Sequence, residues 1–217
     1  MSVTRDVADE WNKITGEPII EAYGVTETSP AATINPLDLK KYNGFIGLPL
    51  PSTFIQVKDE NDSDVGIDAE GELCIKGPQV TKGYWKRPDE TKKAFTKDGY
   101  FRTGDYATIN SDGYVKILDR KKDMILVSGF NVFPNEIEAI LMLHPDIVEA
   151  AAIAIPDLSS GEAVKVFIVK NNDRLTEEQV NVYCREQLTA YKCPREIIFI
   201  DELPKSNVGK VLRKNLR

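Results

Sequence analysis

The chain has 217 residues, with 28 Lys+Arg against 34 Asp+Glu, three Cys and a single His. Its longest unbroken apolar run, Ala150 to Ile155, falls far short of the roughly 20 residues that cross a bilayer. Met1 to Glu10 alternates charge with small residues and has no signal-peptide apolar stretch. Cys74, Cys184 and Cys193 lack CxxC spacing, which predicts a reduced, cytosolic setting, and a lone His144 argues against His-based triads and His-rich metal sites.

In chain order, Val3, Val7, Trp11 and Ile14 recur at helical spacing until Gly16–Glu17–Pro18. A strand-like stretch at Ile19–Tyr23 leads into a turn-rich segment, Gly24 to Pro30. From Gly44 to Asp119 the pattern is β. Phe54–Val57, Glu72–Ile75 and Tyr114–Leu118 lie between turns, with Asp98–Gly99 and Asp112–Gly113 as the strongest turn signals. A short helix fits Pro88–Phe95, Pro at its start.

A charged break, Asp119–Arg120–Lys121–Lys122–Asp123, ends this region. Beyond it the reading is strand Met124–Val127, helix Pro134–Leu143, strands Ile147–Ile155 and Val164–Lys170, helix Thr176–Leu188 and strand Glu196–Ile200. That βαββαβ order predicts a small α+β domain of ferredoxin-like type. Thr176 with Gln179 reads as a capping box, and Val180, Cys184 and Leu188 as a buried stripe. The predicted fold class is α+β, with domains 1–119 and 120–217. Charge is uneven: residues 1–119 carry 14 basic and 20 acidic side chains, residues 120–217 carry 14 of each. The five basic residues of Lys205 to Arg217, with no acid among them, fit a solvated tail or a segment for a small anion. No basic stripe points to nucleic acid.

Four motifs carry chemistry. In Tyr23-Gly24-Val25-Thr26-Glu27 a ring, a hydroxyl and a carboxylate share one loop; they suit a base, a phosphate and Mg²⁺, or a plain turn. In Phe101-Arg102-Thr103-Gly104-Asp105 the carboxylate suits two ribose hydroxyls, or an Asx turn. Asp119 to Gly129 reads as a solvated linker or as a hinge, with Arg120 near a phosphate or ribose and Gly129 admitting a ligand close to the backbone. Lys205-Ser206-Asn207-Val208-Gly209-Lys210 places an ammonium in a turn-prone segment. Pro204 stands where a Walker A loop has its first Gly.

In this order, YGVTE, FRTGD, DRKKDMILVSGFNVFPNEIE and LPKSNVGKVLRKNLR resemble four core motifs of the acyl-CoA synthetases, within the acyl- and aryl-adenylate-forming superfamily. The resemblance covers essentially the whole chain. GFIGLPLPST, GELCIKGPQVTKGYW and DGYFRTGD look most like bacterial long-chain fatty acid–CoA ligases, although Tyr100 and Arg102 stand where that group often has Trp and His. It implies a two-step reaction, in which fatty acid and MgATP give acyl-AMP, and CoA then displaces AMP. By motif, Tyr23 would stack on adenine, Thr26 contact a phosphate and Glu27 ligate Mg²⁺. Asp105 would bind the ribose and Arg120 the nucleotide. Lys210 would bridge the α-phosphate and the attacking carboxylate, Lys122 would be the hinge, and Ser128, Gly129 and Phe130 would line the pantetheine path. The implied large-domain portion includes a barrel-like subdomain at about 44–118, and residues 120–217 form the mobile small domain.

The family's Ser/Thr/Gly-rich phosphate loop and acyl tunnel are absent. The expectation is therefore a C-terminal fragment, a truncated product, inactive alone. Alternatives are a medium-chain or aryl-CoA ligase fragment, or a non-catalytic nucleotide- or CoA-binding module. The expected location is cytoplasmic; peripheral association with the inner membrane is a family-level expectation for a lipid substrate.

Overall fold

The computed structural model describes residues 3–207 and 209–217; Met1, Ser2 and Val208 of the last motif lie outside them. The chain divides into two compact units, one ending at Lys121 and the other starting at Lys122.

The first unit begins with α1 (Arg5–Thr15), closed by Gly16 in the left-handed conformation, whose N–H bonds the Asn12 carbonyl. The predicted apolar stripe is present but uncovered: Val7, Trp11 and Ile14 are 55%, 49% and 76% exposed, and only Ala8 is buried. The strand expected at 19–23 shortens to β1 (Ala22–Tyr23), which pairs with β2 (Thr33–Ile34), itself paired with β3 (Leu48–Pro49). β4 (Phe54–Lys58), β5 (Gly71–Lys76), β6 (Phe101–Ile109) and β7 (Val115–Arg120) form an antiparallel meander, with α2 (Pro88–Ala94) between β5 and β6. Both DG dipeptides turn the chain as predicted: Gly99 N–H bonds Thr96 O and Gly113 N–H bonds Asn110 O.

Ile46 and Gly47 exchange backbone bonds with Val115 on β7, so the small sheet continues the meander and curls over it. Ala32, Ile46, Val57, Leu73, Ile75, Ala107 and Val115 fill the curl. The expected boundary at 119/120 moves two residues on, because β7 runs through Arg120, which lies opposite Asp105 on β6.

In the second unit, β8 (Ile125–Val127) falls within the strand expected at Met124–Val127, and β9 (Phe130–Val132), which the sequence reading did not include, pairs with it as a hairpin. Helix α3 (Pro134–Met142), strands β10 (Ile147–Asp157) and β11 (Gly161–Lys170), helix α4 (Glu177–Gln187) and β12 (Glu196–Phe199) follow. Thr176 and Gln179 make the predicted capping box on α4.

The βαββαβ order is present with one strand added, β9 after β8, but the ferredoxin-like pairing is not. β12 runs parallel to β11, and β8 meets β11 at one position, Gly161 opposite Val127, because a three-residue strand cannot fill the sheet centre. Ile125, Val132, Ile137, Leu141, Val166, Ile168, Val180 and Ile197 interlock beneath. Fully burying one such side chain is worth about 1.5–3 kcal/mol, so Leu141→Ala would remove about 2–5 kcal/mol with the cavity included. Cys184 is buried in this core, and burial pushes its thiol up to about 11. Among the described residues no helix is long and apolar enough to cross a membrane.

Candidate active site

The loop after β1 doubles back so tightly that a Cβ on Gly24 would lie 1.5 Å from the Pro30 carbonyl oxygen. Only hydrogen fits there. A 3₁₀ turn follows at Thr26–Thr28. Thr28, not Thr26, holds it: its buried hydroxyl accepts from Val25 N–H at 2.9 Å and lies 2.8 Å from Pro30 O. Thr26 is exposed, and its hydroxyl takes no hydrogen bond among the described residues.

Tyr23 and Asp105 are 82 residues apart, yet the phenol donates to Asp105 Oδ2 at 2.6 Å. Arg120 Nε lies 3.1 Å from Oδ1 of the same carboxylate. The cause is register, since Asp105 and Arg120 are cross-strand partners on β6 and β7. Asp105 is 6% exposed, whereas the Arg120 side chain is 53% exposed. Burial, then the Asp105 charge, raises the Tyr23 phenol well above its ordinary range, so it stays a donor. Each Asp105 oxygen still has a lone pair after these bonds, enough to accept one hydroxyl apiece.

Glu27 is gripped from the 81–84 segment. Tyr84 donates its phenol to Glu27 Oε1 at 2.7 Å, and Thr81 N–H bonds the Glu27 carbonyl at 2.8 Å. That hydrogen bond, with some burial, pushes the Tyr84 phenol up to about 12. Glu27 forms no ion pair among the described residues, and Oε2 takes no hydrogen bond. One half-buried carboxylate with a free oxygen fits Mg²⁺, which is held through one or two carboxylates, phosphates and water. Among the described residues no group of three acidic, His or Cys side chains could hold a metal alone.

Sequence reasoning missed Tyr84 and also Glu72. The buried Glu72 accepts from Gly104 N–H through Oε1 and from Arg102 and Lys121 through Oε2. Arg102 bonds Asp62 as well. Glu72 thus ties the bend before Asp105 to the last residue of the unit.

In the second unit, Lys122 opens the chain as an exposed residue of a 3₁₀ turn, its carbonyl accepting from Arg217 at 3.3 Å. Asp123 receives Arg217 at 2.7 Å. Ser128 (φ 51°) and Gly129 (φ 86°) are the two-residue turn between β8 and β9, and positive φ at both is the primed turn that suits hairpin twist. A Cβ on Gly129 would meet nothing within 4 Å. Phe130 beside it is 56% exposed and stacked on Tyr191, ring centres 4.8 Å apart.

Lys210 closes a small turn in which Ser206 N–H bonds Lys210 O at 2.8 Å, and its ammonium forms no ion pair among the described residues. The loop is anchored by Lys205 on Glu149, at the start of β10, whereas Ser128 N–H bonds Ser160 O in the turn beyond β10. Eight residues of strand separate these anchors, roughly 25 Å. Lys210 and Gly129 therefore sit on loops anchored at opposite ends of the β10–β11 hairpin.

Two family profiles match the chain in order: AMP-binding enzyme over residues 1–85, and AMP-binding enzyme C-terminal domain over residues 136–210. The long-chain-fatty-acid–CoA ligase of Yersinia pestis is 54% identical over all 217 residues, and the chain spans 38% of that enzyme's length. ATP-bound MatB from Rhodopseudomonas palustris matches with a TM-score of 0.93 at 38% identity, covering 100% of this chain and 43% of that one. The o-succinylbenzoate CoA synthetase of Bacillus subtilis, in complex with its acyl-adenylate intermediate, matches at 0.87 and 28%, covering 100% and 44%. The architecture is that of the adenylate-forming enzymes. The chain belongs to the AMP-binding enzyme family.

Proposed function

We propose that this chain is part of a long-chain fatty acid–CoA ligase. The observation that carries the reading is the Tyr23–Asp105–Arg120 constellation, in a chain 54% identical throughout to an enzyme of that name. In the first half-reaction a fatty acid carboxylate oxygen attacks the α-phosphorus of ATP; the new P–O bond gives acyl-AMP, and pyrophosphate leaves. In the second, the CoA sulfur attacks the acyl carbon, the acyl–phosphate bond breaks, AMP leaves, and the thiol proton goes to solvent.

Asp105 would take the two ribose hydroxyls on its remaining lone pairs, with Tyr23 and Arg120 fixing the carboxylate. The Tyr23 ring would lie against adenine, and the exposed Arg120 guanidinium would meet the nucleotide. Thr26 would donate to phosphate. Glu27 would hold Mg²⁺, which supplies charge neutralisation at the phosphates. Lys210, exposed and without an ion pair among the described residues, would stabilise the charge shared by the α-phosphate and the attacking carboxylate. Ser128, Gly129 and Phe130 would pass the pantetheine arm, and Lys122 would be the hinge. Loops anchored at opposite ends of one hairpin support a small domain that presents a different end in each step.

The test is acid-dependent pyrophosphate release and acyl-CoA formation by the full-length protein over fatty and aryl acids, beside residues 1–217 alone. Long-chain acids should give the highest kcat/KM, and the isolated chain no useful turnover. Preference for an aryl acid would replace the substrate class; no acid-dependent release by the full-length protein would overturn the ligase reading.

A further inference from the structure

A carboxylate on a half-exposed turn has several rotamers open to it, and fixing one costs entropy that binding must repay. Glu27 is on such a turn, yet it is held at both ends: the carbonyl by Thr81 N–H at 2.8 Å, Oε1 by the Tyr84 phenol at 2.7 Å. The holder is itself held. Tyr84 N–H donates to Thr91 Oγ1 at 2.9 Å, and that hydroxyl bonds Arg87 O at 2.9 Å, in the first turn of α2. The clamp therefore runs from a helix, through a rigid ring, to one carboxylate oxygen. It ends on an acid that has no cationic partner among the described residues, although Lys82 and Lys86 flank the same segment. Tyr84 is 40% exposed, so its burial contributes little to the core.

We infer that Tyr84 is a positioning residue for Glu27, holding Oε1 so that Oε2 is presented to a divalent cation. This rests on the reading of Glu27 as the Mg²⁺ ligand. Partners that orient a metal-binding carboxylate typically change metal affinity by about 10–100-fold when removed.

The test uses the full-length ligase with ATP, no acid and Mn²⁺ as the probe, free Mn²⁺ being read by electron paramagnetic resonance. Tyr84→Phe keeps the ring and removes only the phenol oxygen; it should weaken Mn²⁺ retention about tenfold and raise the Mg²⁺ needed for half-maximal adenylation by a similar factor. Glu27→Gln should weaken retention further, and the double variant should match Glu27→Gln, as expected of a residue acting through Glu27. Parent-like Mn²⁺ retention by Tyr84→Phe, or additive losses in the double variant, would overturn the inference while leaving Glu27 as ligand. Parent-like retention by Glu27→Gln would remove the ligand reading and the inference together.

Discussion

The two units present their candidate residues in opposite ways. In the first, Asp105 is buried and bonded to Tyr23 and Arg120, and Glu27 is clamped by Tyr84. In the second, Lys210, Gly129 and Lys122 are exposed, and the Lys210 ammonium pairs with nothing among the described residues. A site that must hold a ligand gains from groups fixed in advance, because their desolvation and ordering are settled before binding. Groups that must enter and leave a site between successive steps gain from staying unpaired, since a strong local ion pair would have to be broken each time.

The sharpest way to break this contrast is Lys210→Ala in the full-length ligase. Loss of one charged donor at a site of developing charge costs roughly 10²–10³ in rate. Adenylation should fall by that factor, while thioester formation from preformed acyl-AMP persists. Equal losses in both half-reactions would give Lys210 a structural role. Lys122→Pro comes next, because proline locks φ and removes an N–H at the first residue of the second unit. Thioester formation should drop by about 10²-fold, the usual consequence of misplaced groups, with adenylation retained and Lys122→Ala close to the parent. A folded Pro variant that makes acyl-CoA at the parent's rate would rule out the hinge.

Tyr23→Phe tests the fixed side. It removes a hydrogen bond to a buried carboxylate, worth about 1.5–3 kcal/mol for a charged acceptor, so the ATP needed for half-maximal adenylation should rise about tenfold or more. An unchanged ATP dependence would mean that the pair does not pre-organise the site. A smaller effect is expected at Gly129→Ala. The backbone already lies at φ 86°, a left-handed conformation in which the new methyl is strained at a cost of about 1 kcal/mol. Since nothing lies within 4 Å, the loss should be conformational alone; chemical denaturation monitored on the second unit measures it, and a destabilisation of several kcal/mol would show hidden packing.

The mildest test is acid titration of Asp98. Hydrogen bonds from Thr96, then Lys58, hold its carboxyl down at about 2. The unfolded value is near 3.9, so its stabilisation is complete above about pH 4 and disappears as pH falls through about 2. A carboxyl carbon NMR midpoint near 4 would contradict this.

How much of this was legible in the sequence depends on the range of the interaction concerned. The DG turns, the Thr176 capping box, the Gly16 stop and the Cys184 stripe are local or one-face patterns, and each appears where its spacing puts it. The β8–β9 hairpin was missed because two three-residue strands joined by Ser128–Gly129 are too short to show alternation. The ferredoxin-like pairing failed for a different reason. Element order does not say which edge of β11 a strand joins, and β12 takes a parallel place there.

The sequence by itself determined the motif residues, their order, the change of character near residue 120 and the kind of chemistry each motif can perform. Local composition and spacing suffice for that, because a Gly, a carboxylate or an ammonium has the same capabilities wherever the chain carries it. Tertiary structure alone decided which of them meet. Tyr23 reaches Asp105 across 82 residues and Tyr84 reaches Glu27 across 57. Arg120 faces Asp105 only because β6 and β7 pair in one register, past a bulge between Tyr106 and Ala107. Register is set by the burial of whole strands, so a one-residue slip that no local motif would reveal would send every side chain to the other face.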